Sequence, residues 1–348
     1  MEMTTQQAEN IAATHYGICG HARKLPGELD SNFYLETTEG EKFILKIANE
    51  KEQRQNLDLQ NEAIKHLSSK SNLTTSKVCR SVSGEEILYL TIEGSGLRFV
   101  RLLTWIEGRV FASVNPQSPL LLQRLGEMCG KLSSGLTGFD HPAAHRFMKW
   151  DPAQAAWAYV HLSKFSGERK EIMTHFYRLF ETVAVPAFPH LRKSVNYNDA
   201  NDYNVLVSND VNDPHVPGVI DFGDLVYTHT INEVAIAIAY AAMNKPNPLE
   251  AAGHIVKGYH SQFSLTDEEL KVLYTLVAIR LLISVVCAEL NRLEHPENSY
   301  LQISDRPAWD LLAKWKTISP AFAYYTFRNA CNMEPCPSLV TASKAGVT

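Results

Sequence analysis

Residues 198–224 read NDANDYNVLVSNDVNDPHVPGVIDFGD. Two short apolar runs alternate there with Asn, Asp, Gly and Pro, so the stretch predicts brief strands joined by loops that carry polar side chains. Around it the apolar residues recur at helical spacing: in LLLQRLGEMCGKLSSGL (120–136), PAQAAWAYVHLSKF (152–165) and KEIMTHFYRLFETV (170–183) before it, and in INEVAIAIAYAAM (231–243) and VLYTLVAIRLLISVVCA (272–288) after it. Upstream the pattern differs. Residues 29–49 predict a hairpin turning at Glu39 and Gly40, residues 50–70 a helix with Leu57, Ile64 and Leu67 on one face, and 86–92 and 98–106 two further strands about the turn EGSG. The expected fold class is α+β, with a small antiparallel sheet and one helix over residues 1–108, a mostly helical lobe over 109–336, and a flexible tail over 337–348.

Composition agrees with two lobes. At 348 residues the chain exceeds what one hydrophobic core serves, and 45% hydrophobic and 20% charged residues with a net charge of −5 describe an ordinary globular protein. The charge balance, with no basic tail, gives no reason to expect a nucleic-acid partner. The first fifteen residues, MEMTTQQAENIAATH, lack a basic and an apolar signal region, and a cytoplasmic protein is expected. Its six cysteines, Cys19, Cys79, Cys129, Cys287, Cys331 and Cys336, form no CxxC pair and read as free thiols; zinc at Cys331 and Cys336 would need two more ligands nearby. No HExxH spacing recruits the thirteen histidines to a metal. The run from Val272 to Ala288 approaches the length of a membrane span, but its central Arg280 would cost about 2.5–3.5 kcal/mol in a bilayer. A buried helix and no membrane partner are therefore expected.

The opening stretch also carries a spacing with chemical meaning. Asp199 is followed at the fifth position by Asn204, and seventeen residues further an apolar strand ends at Asp221 in IDFGD. Phosphoryl transfer needs an oriented hydroxyl and hard cations that neutralise phosphate charge. Asp199 suits the first task, orienting the hydroxyl and accepting its proton, while Asn204 and Asp221 offer oxygen ligands to Mg²⁺. Taken singly, Asp and Asn in loops usually only shape turns. Upstream, Lys46 lies within the apolar strand FILKI and wants an anionic partner, which Glu62 on the following helix supplies; a lysine snorkelling to solvent is the alternative.

The order of Lys46, Glu62, NDANDYN and IDFGD resembles the aminoglycoside phosphotransferase and choline kinase superfamily. Within it, NDANDYNVLV, IDFGDLVYTHTINEVAIAIAY, YLQISDRPAWDLL and FRNACNMEPCP are similar to the hydroxylysine kinase branch, including the kinase-like portion that in some proteins precedes an aminotransferase-type domain. No such second domain is expected here. The resemblance implies a bilobal protein-kinase-like fold with the nucleotide between the lobes. It implies the base edge held by backbone near Thr104 and Ile106 in LLTWIEG, and GTP or ATP as donor with Mg²⁺. Its acceptor would be the 5-hydroxyl of hydroxylysine. Two departures are visible. Tyr197 stands where the family's catalytic loop usually has His, and LPGELDSNFYL has one glycine, Gly27, so backbone near Ser31 and Asn32 would cradle the phosphates.

An amino-acid acceptor asks for a cation opposite its carboxylate and anions opposite its amines. Arg280 is the candidate for the first, with a structural ion pair to Glu233 or Glu289 as its alternative; Asp224 and Asp202 are candidates for the second. Asp151, before Pro152, reads as a helix cap, and the aromatics of AFAYYTFRN as packing residues. The partner expected is thus a small hydroxylated amine or amino acid. Homoserine, choline, ethanolamine and aminoglycosides are the alternative acceptors, and a nucleotide-binding pseudokinase is the alternative that lacks catalysis.

Overall fold

The computed structural model describes residues 3–27, 30–70, 73–294 and 305–334. The proposed tail at 337–348, Cys336, and the first residues of YLQISDRPAWDLL lie outside the described residues. The chain divides between Glu107 and Gly108 into two compact units.

The first unit is built on a six-stranded antiparallel sheet: β1 (Gly20–Leu25), β2 (Ser31–Thr37), β3 (Lys42–Ile47), β4 (Val78–Cys79), β5 (Leu88–Ile92) and β6 (Gly96–Thr104). Hydrogen bonding gives the order β1-β2-β3-β6-β4, with β5 also on β6. Alternation puts Phe33, Leu35, Leu45, Ile47, Val100 and Leu102 on one face, all buried. That face is covered by α1 (Thr5–Tyr16), which the sequence reading did not anticipate. Its buried stripe is only Ala8, Ala12 and Tyr16, at i, i+4 and i+8. What marks the helix is its ends: Thr4 and Gln7 form a capping box, and Gly17 closes the helix in the left-handed conformation at φ 66°. The strand β1 was also unanticipated, because HARK on an edge strand carries no apolar alternation. The opposite face of the sheet meets α2 (Arg54–Lys70). There the buried Arg101 of β6 donates to Gln60 Oε1 at 2.6 Å and Asn61 Oδ1 at 2.8 Å, fixing the helix to the strand.

The second unit is mostly helical. Short strands β7 (Arg109–Val110), β8 (Lys193–Asn196), β9 (Val205–Val207), β10 (Gly218–Val219) and β11 (Val226–His229) form two small antiparallel ribbons, β10-β9-β7 and β11-β8. The helices are α3 (Pro119–Gly135), α4 (Gly167–Leu179), α5 (Asn232–Ala241), α6 (Pro248–Gln262), α7 (Asp267–Glu294), α8 (Asp305–Lys316) and α9 (Pro320–Ala330). Long and apolar enough to cross a membrane, α7 instead has 94% of its most apolar window buried within the protein. The segment expected to form one helix over 152–165 breaks into single turns, Pro152–Gln154, Ala156–Tyr159 and Leu162–Lys164. Its buried Pro152, Ala155 and Ala158 fall three apart, a spacing that suits tight single turns, while Tyr159 and Val160 stay 44% and 72% exposed.

Helices α3 and α6 approach so closely that glycine is required at their contact. A Cβ on Gly258 would lie 1.9 Å from the Gln123 carbonyl oxygen, and one on Gly126 2.0 Å from that of Ile255. The colliding atoms are backbone, which cannot swing aside. Gly258→Ala is therefore expected to lower the stability of the protein by about 3 kcal/mol in urea unfolding, the upper range for overpacking. Gly253→Ala on the same helix, whose Cβ meets only the Thr326 methyl at 3.8 Å, should instead leave stability unchanged or raise it by up to about 1 kcal/mol.

Candidate active site

In the second unit, antiparallel pairing of β8 with β11 and of β9 with β10 holds two loops side by side: 197–204, which joins β8 to β9, and 220–225, which joins β10 to β11. Three links tie them. The Ile220 N–H donates to the Asn204 carbonyl at 2.9 Å. The hydroxyl of the fully buried Tyr197 donates to the Ile220 carbonyl, one residue before Asp221. The Tyr197 ring also meets the Phe222 ring edge-on, with centroids 5.1 Å apart. Burial and the surrounding carboxylates, Asp199 and Asp221 foremost, push the Tyr197 hydroxyl well above its ordinary pKa, so it remains a donor.

Asp199 accepts three hydrogen bonds on its side chain. Its Oδ2 accepts from Asn204 Nδ2 at 2.6 Å; its Oδ1 accepts from Asn201 Nδ2 at 3.0 Å and from Arg280 Nη2 at 3.1 Å. Burial and then the nearby Asp224 carboxylate push its pKa well above the usual carboxylate range, with Asp221 adding to the rise and Arg280 opposing it. Asp199, Asn204 and Arg280 are thus in direct contact, and Asp221 and Asp224 are within electrostatic reach. Asp221 is exposed and holds a left-handed backbone at φ 61°, with its Oδ1 accepting the Gly223 N–H at 3.1 Å. Asp202 meets this cluster through Tyr240: its carboxyl, pushed by burial to about 6, acts on the Tyr240 hydroxyl, which also feels Arg280 and Asp199, and its carbonyl accepts the Ala112 N–H at 2.8 Å.

Arg280 enters the site from α7. Its Nη1 donates to the Trp150 carbonyl, and the guanidinium lies 4.9 Å from the Trp150 ring centroid and 5.4 Å from that of Tyr240. Neither acid named as its structural alternative is its hydrogen-bond partner: Glu289 accepts from Arg292 at 2.6 Å, and Glu233 Oε2 accepts the Asn198 N–H at 3.0 Å. Asp151 caps the turn that follows, accepting the Ala153 N–H at 3.0 Å, and also accepts from Asn232 Nδ2 at 2.8 Å.

Sequence reasoning missed the roles of two residues here, Glu233, named only as an ion-pair alternative for Arg280, and Arg146. Glu233, buried at the start of α5 and pushed by burial to about 7, anchors the backbone of Asn198, whose φ of 65° lets the loop turn toward Asp199. Arg146 clamps the second loop through the carbonyls of Gly223 at 2.6 Å and Leu225 at 3.1 Å. Glu233 had a legible signal, an acid inside the apolar run of α5. Arg146 had none, since nothing in PAAHRFM (142–148) ties a lone arginine to the second loop.

In the first unit, β2 and β3 set Asn32 opposite Lys46, and β3 and β6 set Lys46 opposite Arg101, so the three share one face of the sheet. Ser31 opens β2 beside them, opposite Ile47. Glu62 follows the anchored Gln60 and Asn61 on α2 with its side chain exposed. Thr104 ends β6, exchanging backbone and side-chain bonds with Lys77 at 2.9 and 2.8 Å, and Ile106 is buried two residues on.

Among the described residues no three His, Cys, Asp or Glu side chains form a ready-made metal cage. A magnesium ion that keeps phosphate oxygens and waters needs only one or two protein carboxylates, and the mutual repulsion of Asp199, Asp221 and Asp224 is what such a cation would relieve. The residues present fit it.

The model of the phosphotransferase enzyme family matches residues 21–268 of this chain. The hydroxylysine kinase of Mus musculus is 29% identical over 330 residues, covering 88% of this chain and 87% of its own, and that of Bos taurus 30% identical over 329, covering 87% and 86%. Among solved structures, an amicoumacin kinase in complex with AMP-PNP and Ca²⁺ superposes with a TM-score of 0.69 at 15% identity, over 92% of this chain and 97% of that one. A microcompartment-associated aminopropanol kinase gives 0.62 at 18% identity over 99% of both chains. These structures share the bilobal kinase-like fold, with its antiparallel sheet and helical second unit. The family match spans the strands around Lys46 and both loops around Asp199, and it makes this chain a member of the phosphotransferase enzyme family, an enzyme that transfers phosphoryl groups to a hydroxyl acceptor.

Proposed function

We propose that the chain transfers the γ-phosphoryl group of GTP or ATP to the hydroxyl of 5-hydroxylysine. The observation that carries the reading is Asp199, a carboxylate held on both oxygens by Asn204, Asn201 and Arg280 yet 19% exposed, together with hydroxylysine kinases as relatives over most of the chain. Asp199 orients the acceptor hydroxyl and accepts its proton as the oxygen attacks phosphorus in line. Asn204 and Asp221 would hold Mg²⁺, whose charge, when it is bound, offsets that of the phosphates. Lys46, with Glu62, serves the nucleotide phosphates, backbone at Ser31 and Asn32 covers them, and backbone near Thr104 and Ile106 receives the base. Asp224 and Asp202 serve the amines of the acceptor.

Incubating the purified protein with Mg²⁺, ATP or GTP, and an acceptor panel of 5-hydroxylysine, homoserine, choline, ethanolamine and an aminoglycoside tests this by mass spectrometry. Hydroxylysine is expected to gain one phosphoryl group; phosphorylation of the antibiotic but not of hydroxylysine would overturn the acceptor. Asp199→Asn should lower the turnover roughly 10²–10⁴-fold, the usual loss when positioned proton transfer is removed. Equal rates in the two proteins would exclude Asp199 as the base. Tyr197→Phe removes one buried donor while keeping the ring in place, and a loss of kcat of about tenfold with acceptor KM little changed is expected from a loosened link between the loops. Steady-state kinetics at saturating Mg²⁺ measures it.

A further inference from the structure

A guanidinium inside an apolar helix must be paid for by its partners, and those on the terminal nitrogens of Arg280 are identifiable. Its side chain is 2% exposed. Trp150 and Tyr240 cover its faces, the Trp150 carbonyl takes Nη1, and Asp199 Oδ1 takes Nη2 at 3.1 Å. The segment bearing the Trp150 carbonyl is itself fixed. Asp151, the next residue, is fully buried and bonded to Ala153, Gln154 and Asn232 at 3.0, 2.9 and 2.8 Å.

A carboxylate arriving from solvent needs an accessible pair of N–H groups to form the forked bond that makes arginine useful for such ligands. Each terminal nitrogen of Arg280 already holds one protein oxygen, its Nε–H is buried, and with 2% of the side chain exposed no forked pair of N–H groups is open to solvent. Asp199, in contrast, needs what Arg280 provides. Its neighbours Asp221 and Asp224 repel it, and each of its other two donors is a neutral amide from its own loop. Arg280 is the bond that ties the loop's carboxylate to a long buried helix.

We propose that Arg280 is a positioning residue for Asp199, fixing the carboxylate against α7 and the Trp150 carbonyl, and does not bind the carboxylate of the acceptor. This rests on the reading of Asp199 as the base. A misplacement of reacting groups by about 1 Å can cost roughly 10²-fold in rate, which sets the size of the effect.

The test compares wild type, Arg280→Met and Arg280→Lys on two acceptors, 5-hydroxylysine and its decarboxylated counterpart 1,5-diaminopentan-2-ol, with folding checked by circular dichroism. Positioning predicts that Arg280→Met lowers kcat by about 10²-fold on both acceptors alike, with each KM within about threefold of wild type. It also predicts that Arg280→Lys recovers part of the loss, and that adding Arg280→Met to Asp199→Asn costs little more, because the two act as one unit. An increase in KM for hydroxylysine alone, with the decarboxylated acceptor untouched, overturns the proposal and returns Arg280 to the acceptor carboxylate. So do fully additive losses in the double variant. Should Arg280→Met not fold, the same acceptor comparison is made with Arg280→Lys, which keeps the charge and loses the two-armed geometry. Should wild type phosphorylate neither acceptor, the acceptor assignment falls by itself; the pair is then judged from nucleotide hydrolysis to water, where non-additivity of the Arg280 and Asp199 changes upholds it and additivity ends it.

Discussion

A carboxylate that is to act as a base must be kept charged and aimed inside a protein that disfavours both. Asp199 lies in a loop with Asp221 and Asp224 close enough to raise its proton affinity, and burial raises it further. Much of the second unit is arranged around that cost. The opposing cation comes from the middle of α7, where it displaces apolar packing and is covered by two aromatic rings. The backbone before Asp199 is held by Glu233 at the start of α5, and Asn201 and Asn204 take two further acceptor positions of the carboxylate, leaving one on Oδ2. Three elements far apart in the chain thus converge on one carboxylate. A change at any of them is felt as a change in where Asp199 points.

The first unit also buries an arginine and uses it to hold a helix. Arg101 is buried on β6 directly across from Lys46, yet the partners seen on its guanidinium are the amides of Gln60 and Asn61. Two amide oxygens from consecutive residues of α2 receive two of its N–H groups, which pins that turn of the helix to the strand. The same bonds fix the helix turn that leads into Glu62.

How far the sequence disclosed this depends on whether a signal lay in one stretch or in the meeting of several. The hairpin of β2 and β3, the strands β5 and β6, and helices α2, α3, α5 and α7 could be read because each carries its own periodicity or turn. Helix α1 could not: its buried face is two alanines and a tyrosine, which carry little hydrophobic contrast, and only the capping residues Thr4, Gln7 and Gly17 betray it. The stretch 152–165 failed in the opposite sense, showing helical spacing where the buried Pro152, Ala155 and Ala158 fall three apart in single turns. In the site, Asp199, Asn204 and Asp221 were legible from their spacing. The partner of Arg280 was not, because an apolar helix with one charge announces that a partner exists without saying which acid the fold brings to it. Glu233 and Glu289 lay nearer in sequence, and Asp199, 81 residues away, is the one that meets it.

Tyr197 shows why a departure from the family's usual residue need not break the site. What the position contributes here is a donor to the Ile220 carbonyl, so that the loop carrying the base and the loop carrying Asp221 share a fixed separation. An imidazole can supply that bond from one nitrogen, but its proton is set by tautomer and pH near neutrality. A phenol buried beside carboxylates loses its proton only far above neutral pH, so its hydroxyl donates under any condition in which the protein works. Its larger ring is accommodated because Phe222 turns an edge toward it at 5.1 Å, filling the space between the loops with aromatic contact. The exchange of histidine for tyrosine therefore trades a titratable brace for a permanent one. The geometry of Asp199 and Asp221 is then set by packing and by a bond that pH does not switch.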